Sequence, residues 1–110
     1  MTPDYAFDPA AIIGSRTMQS STGKDVIVEL CSPARMPDPP FDWFCAYRIT
    51  GLDDDAIDGR ALGIDAIQAL TLALVHVGDR LRTATTGLTF LGRNDLFLPT
   101  TPVPDPWAAR

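Results

Sequence analysis

The chain has 110 residues, with 9 lysines and arginines against 14 aspartates and glutamates, for a net charge of −5. This length gives one domain with room for a hydrophobic core, and an apolar fraction of 45% beside 21% charged residues points to a globular fold, not a disordered one. The acidic balance argues against a nucleic-acid partner, because phosphate neutralisation needs a basic surface.

Residues 1–10 read as an irregular arm, with Pro3 and Pro9 and little periodicity. The start has no basic cluster and no apolar run of signal-peptide length, so a cytoplasmic location is the expectation. Tyr5 and Phe7 are placed to tack the arm onto the body. Residues 12–19 alternate as a strand. Residues 20–24 are turn-formers, with Gly23 suited to a positive φ. Residues 25–31 are the strongest strand, β-branched and alternating, with Val26, Val28 and Leu30 on one face. These two strands predict a hairpin.

Four prolines in residues 33–40 rule out helix and interior strand. The segment reads as an extended surface loop, and it meets the usual polyproline docking pattern only weakly. Residues 42–50 form a third strand, with Trp43, Cys45, Tyr47 and Ile49 as its core face. Asp53, Asp54 and Asp55 follow in a turn. Consecutive carboxylates lack the alternating ligands, the glycine and the distal glutamate of a calcium loop, so a solvated acidic turn is expected and no metal site. Residues 57–62 make a weaker fourth strand.

The longest element is a helix beginning after Gly63. Asp65 is the expected N-cap and Gln68 completes a capping box. Arg80 and Arg82 suit the negative end of the helix dipole. Ile67, Leu70, Leu74, Val77 and Leu81 predict the buried stripe, with Ala66 and Ala73 beside it. Leu72 and Val75 lie off that stripe and are candidate interface residues. The helix is too polar and interrupted to span a membrane, and no membrane partner is expected. Beyond it, residues 88–91 and 96–98 predict a small hairpin across residues 92–95, or one strand and an ordered loop. Residues 99–110 read as a proline-rich tail, with Trp107 as a stray or an anchor.

The predicted class is therefore α+β: an antiparallel four-stranded meander packed on one long helix, a two-layer sandwich spanning residues 11–98 as a single domain. One sheet face is left to explain. Ile27, Cys31 and Phe44 point toward it, and self-pairing would hide it, which predicts a homodimer.

Trp43-Phe-Cys-Ala-Tyr-Arg-Ile-Thr-Gly51, Gly63-Ile-Asp-Ala-Ile-Gln-Ala-Leu70 and Leu88-Thr-Phe-Leu-Gly92 occur in that order. They resemble W-x-C-x-[YF]-x-I-x-G, G-x-D-x-[IV]-Q-A-L and L-[TS]-[WF]-L-G segments in a family of short bacterial proteins known as a domain of unknown function. The resemblance implies a complete bacterial domain. It carries no activity, substrate or catalytic residue.

Chemistry is sparse in the residues themselves. Asp58 or Asp65 with Tyr47 is the only acid/base combination to consider, and Asp65 is already committed as a cap. Cys31 or Cys45 as a nucleophile would need a base, and His76, the single histidine, is predicted on the outer helix face. The two cysteines read as small buried residues. The sequence points away from an enzyme, and no cofactor or catalytic residue is expected. The leading expectation is a non-catalytic interaction or accessory domain with an unidentified protein partner. The alternative is a small-molecule binder using a cleft near Trp43, Tyr47 and Arg48.

Overall fold

The computed structural model describes residues 7–38, 42–84 and 87–101. A 3-10 turn at Pro9–Ala11 leads into strands β1 (Ile12–Ser20), β2 (Asp25–Cys31), β3 (Ala34–Arg35), β4 (Trp43–Thr50) and β5 (Ile57–Gly63). Helix α1 (Ala66–Arg82) and strand β6 (Leu88–Thr89) follow. The protein is α+β, with one helix and an antiparallel sheet of six strands. β1 pairs with β2, β2 with β4, β4 with β5, and β6 with the end of β1.

The β1–β2 hairpin closes as its residues dictate. Gly23 takes a φ of 84°, and the Ser20 amide donates to the Lys24 carbonyl at 2.9 Å. The proline-rich segment departs from the expected loop. Ala34 and Arg35, between Pro33 and Pro37, pair with Phe44 and Trp43. Neither residue is a proline, and the flanking prolines limit the strand to two residues. After the helix the second alternative holds: β6 is a short strand, and residues 96–98 are an ordered segment without strand pairing.

Alternation along β4 divides the molecule. Cys45, Tyr47 and Ile49 face the helix, with Met18, Val26, Val28, Ala61, Ala69, Ala73 and Val77 in the same core. Phe44 and Ala46 face the other way and pack with Phe7 and Cys31. The second face is therefore partly covered from within the chain, by the N-terminal arm. That covers Phe44 and Cys31, two of the three residues from which self-pairing was argued, while Ile27 on the same face is half-buried outside this cluster.

The helix lies on β4 and β5 by only part of the stripe its periodicity suggests: Val77 and Leu81 are buried as expected, and the N-terminal half is rotated. Its buried residues are Ala69, Ala73, Val77, Gly78 and Leu81, while Ile67 is 77% exposed. The reason is closeness. Gly63 lies beneath the first turn, where a Cβ would sit 2.6 Å from the Ala69 amide nitrogen. A helix held that near the sheet turns its small side chains inward over its first turns and leaves Leu70, Leu72 and Leu74 half-buried at the flanks. The predicted N-cap forms, with Asp65 Oδ1 accepting from the Gln68 amide at 2.7 Å. Gln68 closes back one residue earlier than a capping box requires, its Oε1 accepting from the Ile64 amide at 2.8 Å.

Residues 96–101 cross this layer as a strap. Arg16 donates to the Leu96 carbonyl at 2.7 Å. Pro99 and Thr100, assigned by sequence to a tail, press on Gly78, where a Cβ would collide with the Pro99 carbonyl. Asp79 accepts from both the amide and the hydroxyl of Thr101, each at 2.7 Å.

Asp65→Ala is expected to cost about 1 kcal/mol of unfolding free energy in urea titrations. Gly78→Ala should leave the helix intact and dislodge the strap, read as lost hydrogen-exchange protection at the Thr101 amide. The Thr101 hydroxyl, then its amide, hold the Asp79 carboxyl below its ordinary value. A lowered folded value makes strap docking fully supported above the ordinary carboxylate value of about 4, and lost as pH falls through the folded value. An acid titration followed by the Thr101 amide resonance should show that loss, and Asp79→Asn should abolish the pH step.

Candidate interaction surface

Among the described residues the outer edge of β1 is open at Ser15 and Thr17. The Ser20 amide points to β2 and the Ser21 amide points away, donating to the Gly87 carbonyl at 2.8 Å. Backbone direction alternates along a strand, so Arg16 and Met18 bond toward β2, while Ser15 and Thr17 direct their amides and carbonyls outward. Among the described residues, β6 meets that edge only at Gln19 and Ser20. One further step of this register would set Leu91 opposite Thr17, but the chain turns away there. Leu91 and Gly92 have φ of 53° and 77°, and Phe90 and Arg93 exchange backbone hydrogen bonds of 2.9 and 3.0 Å across them. Positive φ at both central residues is the type I′ turn, which favours Asn-Gly.

Leu91 is an unusual occupant. A left-handed conformation costs a non-glycine residue about 1–2 kcal/mol, and the side chain is 79% exposed. Phe97 repeats the pattern, with a φ of 54° and 53% exposure. Asp95 Oδ1 holds it there by accepting from the Phe97 amide at 2.8 Å. The rings of Phe90 and Phe97 meet edge to face at 6.4 Å. The Arg16 guanidinium lies 4.4 Å from the Phe90 centroid and that of Arg93 lies 5.7 Å from the Phe97 centroid. The four side chains thus form a ladder, a ring pair with a cation at each end. Among the described residues neither Arg16 nor Arg93 takes part in an ion pair, unlike Arg48 with Asp58 and Arg82 with Asp79. Beside Arg16 an apolar groove of about 190 Å³ runs between the sheet and the strap, lined by Gly14, Val28, Leu30, Leu74 and Leu98.

The residues singled out from sequence are placed elsewhere. Tyr47 is buried against Gly59, where a Cβ would clash with its ring, and its ring edge meets His76 at 6.3 Å. Trp43 is half-buried, under the Arg35 guanidinium at 5.3 Å. Arg48 stands on the opposite sheet face from both, because neighbouring strand residues alternate. There it donates twice to Asp58, at 2.7 and 3.0 Å, and covers the Phe7 ring at 4.2 Å. That pair holds the Asp58 carboxyl below its ordinary value, mainly through the Arg48 hydrogen bonds. The structure does not bring Trp43, Tyr47 and Arg48 into one cleft. Leu72 is half-buried and packs on the core, and Val75 is half-buried. Trp107 lies outside the described residues.

Burial pushes both thiols up, Cys45 to about 11, so neither is poised as a nucleophile. The Asp53–Asp55 turn borders an open polar hollow of about 550 Å³ that also includes Lys24 and Ser20. Among the described residues no three acidic, histidine or cysteine groups are arranged to hold a metal.

Sequence reasoning missed Leu91 and Phe97. The run Gly92-Arg-Asn-Asp95 has stronger turn chemistry than Leu91-Gly92, so the turn was set one residue late. Among the described residues no helix is long and apolar enough to cross a membrane. No curated protein and no solved structure matches the chain. A family model matches residues 14–100, a span that includes the open edge, the ladder and the strap up to Thr100, and the chain belongs to that family, a domain of unknown function (DUF6968).

Proposed function

We propose that the chain is a non-catalytic protein-interaction domain whose contact surface is the Phe90–Phe97 region. The observation that carries this reading is the pair Leu91 and Phe97. Both are large apolar side chains, both are exposed, and both sit at positive φ. A sequence serving the fold alone would place asparagine or glycine at such positions. Strain of this kind persists where a side chain is needed for something other than stability. Arg16 and Arg93 add positive charge that no carboxylate among the described residues pairs with, in a chain of net charge −5.

We read the platform as a two-layer sandwich, with the successive antiparallel pairing of β1, β2, β4 and β5 supporting a meander. The setting we infer is a bacterial cytoplasm. A single lysine among arginine-rich charges and two unbridged buried cysteines support it. A homodimer is one form the interaction takes, although Leu72, packed on the core, is a poor centre for it.

Leu91→Asn relieves the turn and should raise the unfolding free energy by about 1 kcal/mol. A loss of stability would mean that Leu91 serves the fold. A photo-crosslinking residue at position 97 should form protein adducts in extracts of the source cells, and the same residue at position 53 should not. Equal adducts from both positions, or none from 97, would contradict the proposal.

A further inference from the structure

The open edge of β1 and the groove beside it face the same partner. The geometry points to β-strand addition: an extended segment of another protein pairs with Ser15 and Thr17 and presents a carboxylate to Arg16 and an aliphatic side chain to the groove. This rests on the interaction reading and names the partner's chemistry.

The backbone supplies the first part. Ser15 and Thr17 each offer an outward amide and carbonyl, so a passing strand gains up to four hydrogen bonds while remaining extended. The side chains supply the second. Arg16 bonds inward to β2, so the partner residue opposite it occupies a non-hydrogen-bonded site, where facing side chains are closest. Its guanidinium has a ring and a carbonyl for company and no carboxylate among the described residues. An acidic residue there is favoured. A second copy of the chain, centred to use both Ser15 and Thr17, would set Arg16 against Arg16, and like charges directly opposed destabilise a strand pair.

Two residues along, the partner's next side chain on the same face lies over Gly14. A Cβ built at Gly14 meets nothing within 4 Å, so the wall of the groove is open at that point. Val28, Leu30, Leu74 and Leu98 beyond it are apolar. The recognised pattern is thus an acidic residue and an aliphatic one separated by a single residue, in a segment without proline at the paired positions.

The test uses the full chain as bait for a random peptide library of about twelve residues, followed by fluorescence anisotropy of the selected peptides. Selected peptides should carry an aspartate or glutamate two positions from a leucine, isoleucine or valine, and should weaken as salt rises. Thr17→Pro removes an outward amide and leaves the β1–β2 ladder intact, and it should weaken binding about tenfold or more. Gly14→Val fills the groove and should do the same. It keeps the test alive if the proline variant fails to fold. Basic peptides, or binding indifferent to both variants, would overturn strand addition. So would a dimer in light scattering that Thr17→Pro splits, because the edge would then belong to a second copy. Peptides sensitive to Leu91→Asn but not to the edge variants would leave the interaction reading standing and this one refuted. A library that yields no binder would refute both.

Discussion

Burial of β4 on both faces is the constraint on which the rest of the structure depends. A strand with Cys45, Tyr47 and Ile49 on one side and Phe44 and Ala46 on the other needs a cover for each. Fully burying a large apolar side chain contributes about 1.5–3 kcal/mol, so leaving either side in water would forfeit much of a small domain's margin. The helix covers one side by coming close, through Gly63, Ala69 and Ala73. The arm ending in Pro9–Ala11 covers part of the other, through Phe7, which also shelters beneath Arg48. Beyond that cover the second face is mixed: Ile27 is half-buried, and Glu29, Arg48 and Asp58 stand in register across three strands. An exposed pair such as Arg48–Asp58 adds little stability, about 0–1 kcal/mol. Its role is to give that part of the sheet a face that water accepts.

The same economy leaves β1 half finished. The helix sits over β4 and β5, so the helix-side surface of β1 and β2 has to be closed by something else. The strap does this, held by Arg16 at one end and by Asp79 at the other. The price is local irregularity: to reach the strap, the chain leaves the sheet after Thr89 and turns on Leu91. The edge of β1 at Ser15 and Thr17 loses the strand that would have continued beside it. Exposed edges invite unwanted pairing, and natural proteins guard them with charges and bulges. Here the register shift between Ile12 and Gly14 and the Arg16 charge limit that edge. They make it selective for a short acidic strand and do not close it.

Local signals were legible in the sequence. The hairpin, the strong β2 strand, the capping aspartate and the class of the fold follow from neighbours within a few residues. What was not legible depended on distance of approach. Ile67 and Ala73 look like core and flank by hydrophobicity, and only the closeness imposed at Gly63 reverses them. Phe7 looked like an arm residue because nothing nearby in sequence shows that Phe44 and Cys31 await it. Trp43, Tyr47 and Arg48 looked like one cluster because they are adjacent along the chain, although strand alternation separates the arginine from the rings. Leu91 and Phe97 were missed for a different reason: they break local rules, and a reading built on those rules passes over them.

Native-state hydrogen exchange resolved by residue along β1 tests the account most directly. Arg16 and Met18 bond to β2 and should be protected, while Ser15 and Thr17 should exchange at rates near those of an unstructured chain. The amides of β4 should be the slowest in the protein. Equal protection along 15–18 would mean that the edge is already occupied in the free protein, and the open surface on which the functional reading rests would not exist.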